Sequence, residues 1–364
     1  MRILRVSVAA RPLALRAPFA VSKRTALVAE NVVVTVFTDG PERGFGASVA
    51  ASYVTGETAQ SVVAAIERAA PYLEGAPVEN LGPLLDRAAG PLADEPSARA
   101  GLEMALYDLW AKGRGLRLSD FFGGRLPSLV TDLTIPLVTP DEAAERAREA
   151  VSRGYTAFKL KVGAKDGVDA DLARLAAVAA AAPEATLRLD ANQAYTPKDA
   201  LRMLHKALAA APRIEMFEQP VDRADLDGLR EVTLSSPVPV YADEAVCTPA
   251  DAITVIRAGA ASGINVKLMK SGIVGALRIA EVCQAAGIGL MFGCMLESPL
   301  GIAAAAQIAG GIGGVRFVDL DTHELLAPVA WMSGGVTFDG PRIALDSESA
   351  AGWGVRVGDD PAED

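Results

Sequence analysis

The sequence predicts an α/β barrel of repeated βα units behind a smaller α+β unit, and three observations predict it. From about Thr131 onward, short β-branched runs alternate with Ala-rich helical segments such as Asp141–Ser152, Asp169–Ala182 and Pro197–Ala211, the pattern of parallel strands joined by crossover helices. The runs end near Ile135, Lys161, Asp190, Glu218, Asp243, Lys267, Phe292 and Asp319, which makes eight. Between Lys161 and Lys267, charged residues recur at those ends every 24 to 29 residues, once per βα unit.

The stretch before Thr131 reads differently. Arg2–Ala10 and Asn31–Phe37 read as strands, the second closing at Asp39-Gly40, while Glu57–Tyr72 and Ser97–Lys112 carry helical spacing. In the latter helix Leu102, Ala105, Leu106 and Leu109 predict one inward face, with a stop near Gly113 and Gly115. One core usually stops growing at roughly 250 to 300 residues, so a chain of 364 residues is expected to form two domains.

Composition excludes several function classes. Apolar residues make up 51% and charged residues 22%, yet apolar runs such as Leu175–Ala182 are too short for a membrane span. A net charge of -10 repels a phosphate backbone, so no nucleic-acid partner is expected. Cys247, Cys283 and Cys294 are odd in number and lack Cys-x-x-Cys spacing, which fits a reducing cytoplasm rather than a disulfide framework or zinc site. With two histidines, acid–base chemistry must fall to other side chains. The first 29 residues contain no acid, but Arg2, Arg5, Arg11 and Arg16 break up any signal-peptide core.

In a barrel the C-terminal ends of all strands open on one face, so ionisable residues there converge despite their separation in sequence. Acids after strands also start helices as N-caps; one acid reads that way, three alternating with lysines do not. Lys159-Leu160-Lys161 ends a strand whose two-residue period sends both ammonium groups to one side, where each is expected to depress the other's pKa and free one as a base. A bare Lys-x-Lys also looks like a solvated pair. Asp190, Glu218 and Asp243 each close an apolar run. Three converging carboxylates repel unless a cation joins them, and oxygen-only ligation favours Mg2+ over zinc, with water and substrate completing the shell. Asn192 reads as a ligand-orienting residue or as a turn asparagine. Lys267 ends the sixth run, opposite the second on an eight-strand circle, so Lys161 and Lys267 flank the centre from two sides. Lys270 reads as a helix-start or loop residue, and His323 as a loop histidine. Asp319-Leu320-Asp321 presents two same-side carboxylates, which suit either an ammonium ligand or loop capping.

The ordered set Lys159-x-Lys161, Asp190, Glu218, Asp243 and Lys267 resembles the enolase superfamily, specifically its muconate lactonizing enzyme subgroup, over nearly the whole chain. The resemblance implies a modified (β/α)7β TIM-type barrel at 126–325, an N-terminal α+β capping domain at 1–125, and a C-terminal segment at 326–364 returning to the cap. It further implies that Asp319-x-Asp321 is similar to the motif by which dipeptide epimerases hold the substrate's α-ammonium group. Thr134, Cys294 and Leu296, the last two in Phe292-Gly-Cys-Met-Leu-Glu-Ser298, fall at substrate-contacting positions. Arg24, in Val21-Ser-Lys-Arg-Thr25, falls where Ala-Glu epimerases place an arginine for the glutamate side chain.

The implied chemistry is Mg2+-dependent dipeptide epimerisation. One lysine of Lys161 and Lys267 removes the α-proton of the C-terminal residue, the other returns it on the opposite face, and Lys159 helps stabilise the enediolate between. Within the same superfamily, o-succinylbenzoate synthase and N-succinylamino acid racemase use such lysines on substrates without a free ammonium, which Asp319 and Asp321 argue against. A non-enzymatic ligand-binding barrel ranks below both, and homo-oligomerisation is left open.

Overall fold

Four of the barrel helices begin at a hydroxyl–proline step: Thr139-Pro140, Thr196-Pro197, Thr248-Pro249 and Ser298-Pro299. In each the hydroxyl accepts from a backbone N–H of the first turn, and proline fills a position whose own N–H would lack a partner. This punctuation lets each chain segment leave a strand and enter its helix within a few residues. A computed structural model describes residues 1–22, 24–345 and 351–358; of the stretch expected at 326–364, residues 346–350 and 359–364 lie outside the described residues.

Eight parallel strands lie side by side in chain order: Leu133–Ile135, Ala157–Lys161, Thr186–Asp190, Ile214–Glu218, Val240–Ala242, Gly263–Val266, Gly289–Gly293 and Phe317–Asp319. Seven helices of ten or more residues alternate with them and only a four-residue turn of helix follows the eighth strand, so the architecture is (β/α)7β. The ring closes where Asp132 N–H donates to Val318 O at 3.2 Å and Leu320 N–H to Thr131 Oγ1 at 2.8 Å. Strand ends fall within about a residue of the positions expected from the sequence.

The cap joins a three-stranded antiparallel sheet, Ile3–Ala10, Asn31–Thr38 and Arg43–Val49, to a hairpin of Leu13–Val21 with Arg24–Ala29 and to helices Ala59–Ala69, Leu81–Ala89 and Pro96–Lys112. The expectation of one inward face on Pro96–Lys112 is overturned: thirteen of its seventeen residues are buried. It lies between the cap strand Arg43–Val49 and the barrel helix Leu268–Ala286, so it has apolar neighbours on opposite sides. The approach to the strand is close enough that a Cβ on Gly46 would sit 1.9 Å from Gly101 O. Farther along the chain, Trp353 is buried against this helix, its indole N–H donating to Met104 O at 2.9 Å and its backbone N–H to Asp108 Oδ1 at 3.0 Å. Among the described residues no helix is long and apolar enough to cross a membrane.

Candidate active site

A pocket lies where the cap hairpin meets the C-terminal ends of the barrel strands. Of the residues singled out in the sequence, Arg24, Thr134, Lys161, Asn192, Asp243, Lys267, Cys294, Leu296, Asp319 and Asp321 line it. Lys159, Asp190 and Glu218 do not reach the lining; they are fully buried.

The pleat explains the lysine pair. Lys159 and Lys161 alternate with Leu160 on the second strand, so both side chains enter the barrel end. Lys159 Nζ stands 2.7 Å from Asp319 Oδ2, 2.9 Å from Glu218 Oε2 and 3.2 Å from Asp190 Oδ2. Lys161 Nζ lies 2.5 Å from Asp190 Oδ2, and Lys267 Nζ lies 2.7 Å from Asp243 Oδ2. Because the second and sixth strands are four apart in the eight-strand ring, Lys161 and Lys267 enter the pocket from opposite walls.

These contacts correct one electrostatic expectation. The sequence spacing predicts that Lys159 and Lys161 depress one another's pKa, and at Lys159 the structure reverses the sign. Burial does pull Lys159 down, but the charges of Asp319, Glu218 and Asp190 outweigh it and raise its pKa well above the ordinary value. Lys267 is likewise raised, by Asp243 against burial. At Lys267 the attraction of Asp243 also exceeds the repulsion of Lys159. In return, burial pushes Asp243 and Asp190 up while the neighbouring ammonium groups hold both below the ordinary carboxylate range. Glu218, shielded by burial and repelled by Asp190, is pushed up to about 7.

The donor set fits a hard divalent cation in its chemistry: three buried carboxylates, no sulfur or imidazole, and a Glu218 Oε2 that accepts no hydrogen bond beyond its ion pair with Lys159. Among the described residues no three acid, histidine or cysteine side chains are grouped closely enough to hold an ion. The ammonium groups of Lys159 and Lys267 stand between the carboxylates and neutralise them in this arrangement.

On the eighth strand, Asp319 ends the strand and Asp321 lies two residues on, ahead of the short helix Thr322–Leu325. Asp321 Oδ2 accepts from Thr134 N–H at 2.6 Å and Asp319 Oδ1 from Thr134 Oγ1 at 3.3 Å, so the pair also fastens the first strand to the eighth. Burial holds Asp321 up at about 7, with Asp319 adding repulsion; Asp319 itself is held down at about 2, where Lys159 overcomes burial. Cys294 Sγ donates to Asp319 O at 3.2 Å, and all three cysteines are free thiols. Leu296 is buried with Leu13, Ala26, Ala29 and Leu326 of the hairpin and C-terminal turn. His323 is not a loop residue: it lies in that short helix, stacked on Phe338 at 3.6 Å.

Further side chains belong to the same assembly. Lys270 is buried, and its Nζ reaches Asp243 Oδ1 at 2.6 Å and Asn265 O at 2.9 Å. Its spacing was the available signal, since three residues beyond Lys267 at a helix start returns to the same face. Asn265 Nδ2 donates to Glu218 Oε1 at 2.8 Å, and Gln219 Oε1 accepts from the backbone N–H groups of Asp243 and Ala245. Gln219 carries φ of 32°, a strained turn that aims its side chain back at the next strand. Asn192 lies in a turn with φ of 44°, and its backbone N–H donates to Asp190 Oδ1 at 2.9 Å. Tyr53, on the cap, stacks beneath Arg24.

A (β/α)7β barrel with an α+β cap, carrying lysines on opposed strands among three strand-end acids, defines a class, and comparison with known proteins assigns the chain to it. Residues 3–123 match the mandelate racemase / muconate lactonizing enzyme N-terminal domain and residues 142–361 match the enolase C-terminal domain-like family. The chain belongs to the mandelate racemase / muconate lactonizing enzyme family of the enolase superfamily. It is 36% identical to the L-Ala-D/L-Glu epimerase of Bacillus subtilis, covering 97% of this chain and 96% of that one. It is 38% identical to an aromatic dipeptide epimerase of Herpetosiphon aurantiacus over 97% of this chain and 98% of the relative. The crystal structure of a dipeptide epimerase from Enterococcus faecalis, complexed with Mg and L-Leu-L-Tyr, superposes with a TM-score of 0.92 at 35% identity, covering 98% of this chain and all of that one.

Proposed function

We propose that the chain is a Mg2+-dependent dipeptide epimerase of the cytoplasm that inverts the α-carbon of the C-terminal residue by two-base proton transfer, with L-Ala-D/L-Glu as its substrate type. One arrangement carries this reading: Lys161 and Lys267 enter one pocket from strands four apart, and the carboxylates of Asp319 and Asp321 line the same pocket. A proton can then leave one face of a carbon and return on the other, while an ammonium group is held nearby.

Asp190, Glu218 and Asp243 would hold the cation, which supplies positive charge where a substrate carboxylate gathers electrons. Lys159, fully buried, adds a fixed ammonium to that end of the pocket. One of Lys161 and Lys267 takes the α-proton and the other delivers one from the opposite wall; their roles exchange with direction. Asp319 and Asp321 accept hydrogen bonds from the substrate's free α-ammonium group. Arg24 at the cap side offers a planar fork to an acidic side chain. Free thiols and a reducing compartment are mutually consistent.

A dipeptide library incubated with Mg2+ in deuterated solvent and read by mass tests the reading. The expected result is uptake of one deuterium at the C-terminal α-carbon of dipeptides with a free amino terminus, greatest for L-Ala-L-Glu. Uptake confined to N-acylated amino acids would assign the site to racemisation of acyl derivatives, and no uptake in either set would remove the dipeptide-epimerase reading.

A further inference from the structure

Arg24 opens the strand Arg24–Ala29 and pairs in register with Val21 across the hairpin, so its side chain leaves the cap at the rim of the pocket. Its guanidinium carbon lies 4.3 Å from the centroid of the Tyr53 ring. Among the described residues Arg24 forms no ion pair with a carboxylate. A guanidinium held over an aromatic ring still carries a planar fork of N–H donors that an incoming carboxylate can engage.

Tyr53 is a fixed platform for that stack. It sits in a tight turn in which Val54 N–H donates to Ala51 O at 2.8 Å and Thr55 N–H to the same oxygen at 2.9 Å. Arg223, beyond the fourth barrel strand, donates to Val54 O at 2.9 Å, and the Tyr53 hydroxyl reaches Met295 Sδ, beyond the seventh, at 4.0 Å. The backbone beside Tyr53 is therefore tied to the barrel and its hydroxyl touches it, whereas Arg24 is a long, rotamer-rich side chain on an edge hairpin.

We propose that Tyr53 is a positioning residue that holds the Arg24 guanidinium in the orientation that reads an anionic side chain on the substrate's C-terminal residue. Preference for an acidic dipeptide then belongs to an Arg–Tyr pair on the cap, not to Arg24 alone. This rests on the reading of Arg24 given under the proposed function, and the two are separable. A cation held over an aromatic face in a partly desolvated site is worth a factor of about five in binding, and loss of the ring should show as loss of that factor for the charged substrate.

The test compares kcat/KM for L-Ala-L-Glu with that for L-Ala-L-Gln, which differ only in the side-chain carboxylate. Arg24→Met should lower the Glu/Gln ratio by about ten-fold or more; if the ratio stays put, the reading of Arg24 itself is wrong. Tyr53→Leu and Tyr53→Met should each lower the ratio about five-fold, mainly through KM for the glutamyl substrate, while Tyr53→Phe, which keeps the ring, should restore it. If Arg24→Met moves the ratio and the Tyr53 variants do not, or if they lower both substrates equally, the positioning role is overturned although Arg24 stands. A Tyr53→Phe variant as impaired as Tyr53→Leu would overturn it too, because the ring would not be the operative part.

Discussion

Lys267 Nζ lies 2.7 Å from Asp243 Oδ2, so a carboxylate at a proposed metal position directly contacts an ammonium at a proposed proton-transfer position. The other oxygen of Asp243 takes Lys270 at 2.6 Å. Two buried cations share one buried acid, so the acid keeps a counter-charge in its low-dielectric setting when one of them is removed. Substitution at Lys267 should therefore alter chemistry with little loss of fold, since Lys270 continues to neutralise Asp243.

Lys267→Ala is expected to lower net inversion by about 10² to 10⁴, the usual worth of a positioned proton-transfer group. Lys161, on the opposite wall, should still exchange the α-proton of one epimer. Following deuterium uptake separately for the two epimers checks this; equal exchange of both in the variant would show that Lys161 and Lys267 do not serve opposite faces.

Metal dependence should be visible without turnover. Adding Mg2+ to chelator-treated protein is expected to raise the thermal midpoint, with stabilisation of about 2.7 kcal/mol at a hundred times the dissociation constant. Glu218→Gln, which removes one of three anionic donors, should weaken Mg2+ binding measured by calorimetry. An unchanged isotherm would mean that Glu218, whose Oε2 faces the Lys159 ammonium at 2.9 Å, is not a donor.

Asp321→Asn separates the two duties of that side chain. The amide oxygen can still accept from Thr134 N–H, so the seam between the first and eighth strands should hold. The lost negative charge should raise KM for a free-amine dipeptide about ten-fold, the value of a charge-assisted hydrogen bond of roughly 1.5 kcal/mol. The N-acetylated form should lose no such discrimination. A parallel rise for both substrates would make Asp321 a structural brace only.

How much of this was legible in the sequence follows from what each signal depends on. Strand ends at Lys161, Asp190 and Glu218 were readable because each closes an apolar run, and the barrel converts that one-dimensional repeat into a ring. Asp319 and Asp321 were readable as a pair, but not their bonds to Thr134, which exist only once the first strand meets the eighth. The burial of Pro96–Lys112 was misread because its second apolar neighbour, Leu268–Ala286, lies more than 150 residues away. The raised lysine pKa values escaped for the same reason: Lys159 is governed by acids from the third, fourth and eighth strands rather than by its neighbour in sequence.

His323 carries a pH dependence whose sign can be worked out. Burial pulls its pKa down to about 4, against the attraction of Glu324 and with help from Arg153 and Arg16; its ring stacks on Phe338. An unfolded chain takes up this proton near pH 6.5. Between 6.5 and 4 the unfolded state therefore binds a proton that the folded state refuses, and stability must fall as pH falls through that window, by roughly 3 kcal/mol at its lower end. Glu324, held below its ordinary value by Arg153 and Tyr155 despite burial, pushes in the same direction at the acid end, so the slope should not vanish when His323 is replaced. His323→Phe keeps a flat ring against Phe338 and removes the titration. Urea midpoints measured from pH 7 to pH 4 should decline less steeply in the variant, with the difference opening near 6.5; coincident curves would mean that His323 is protonated in the folded protein as readily as in the unfolded one.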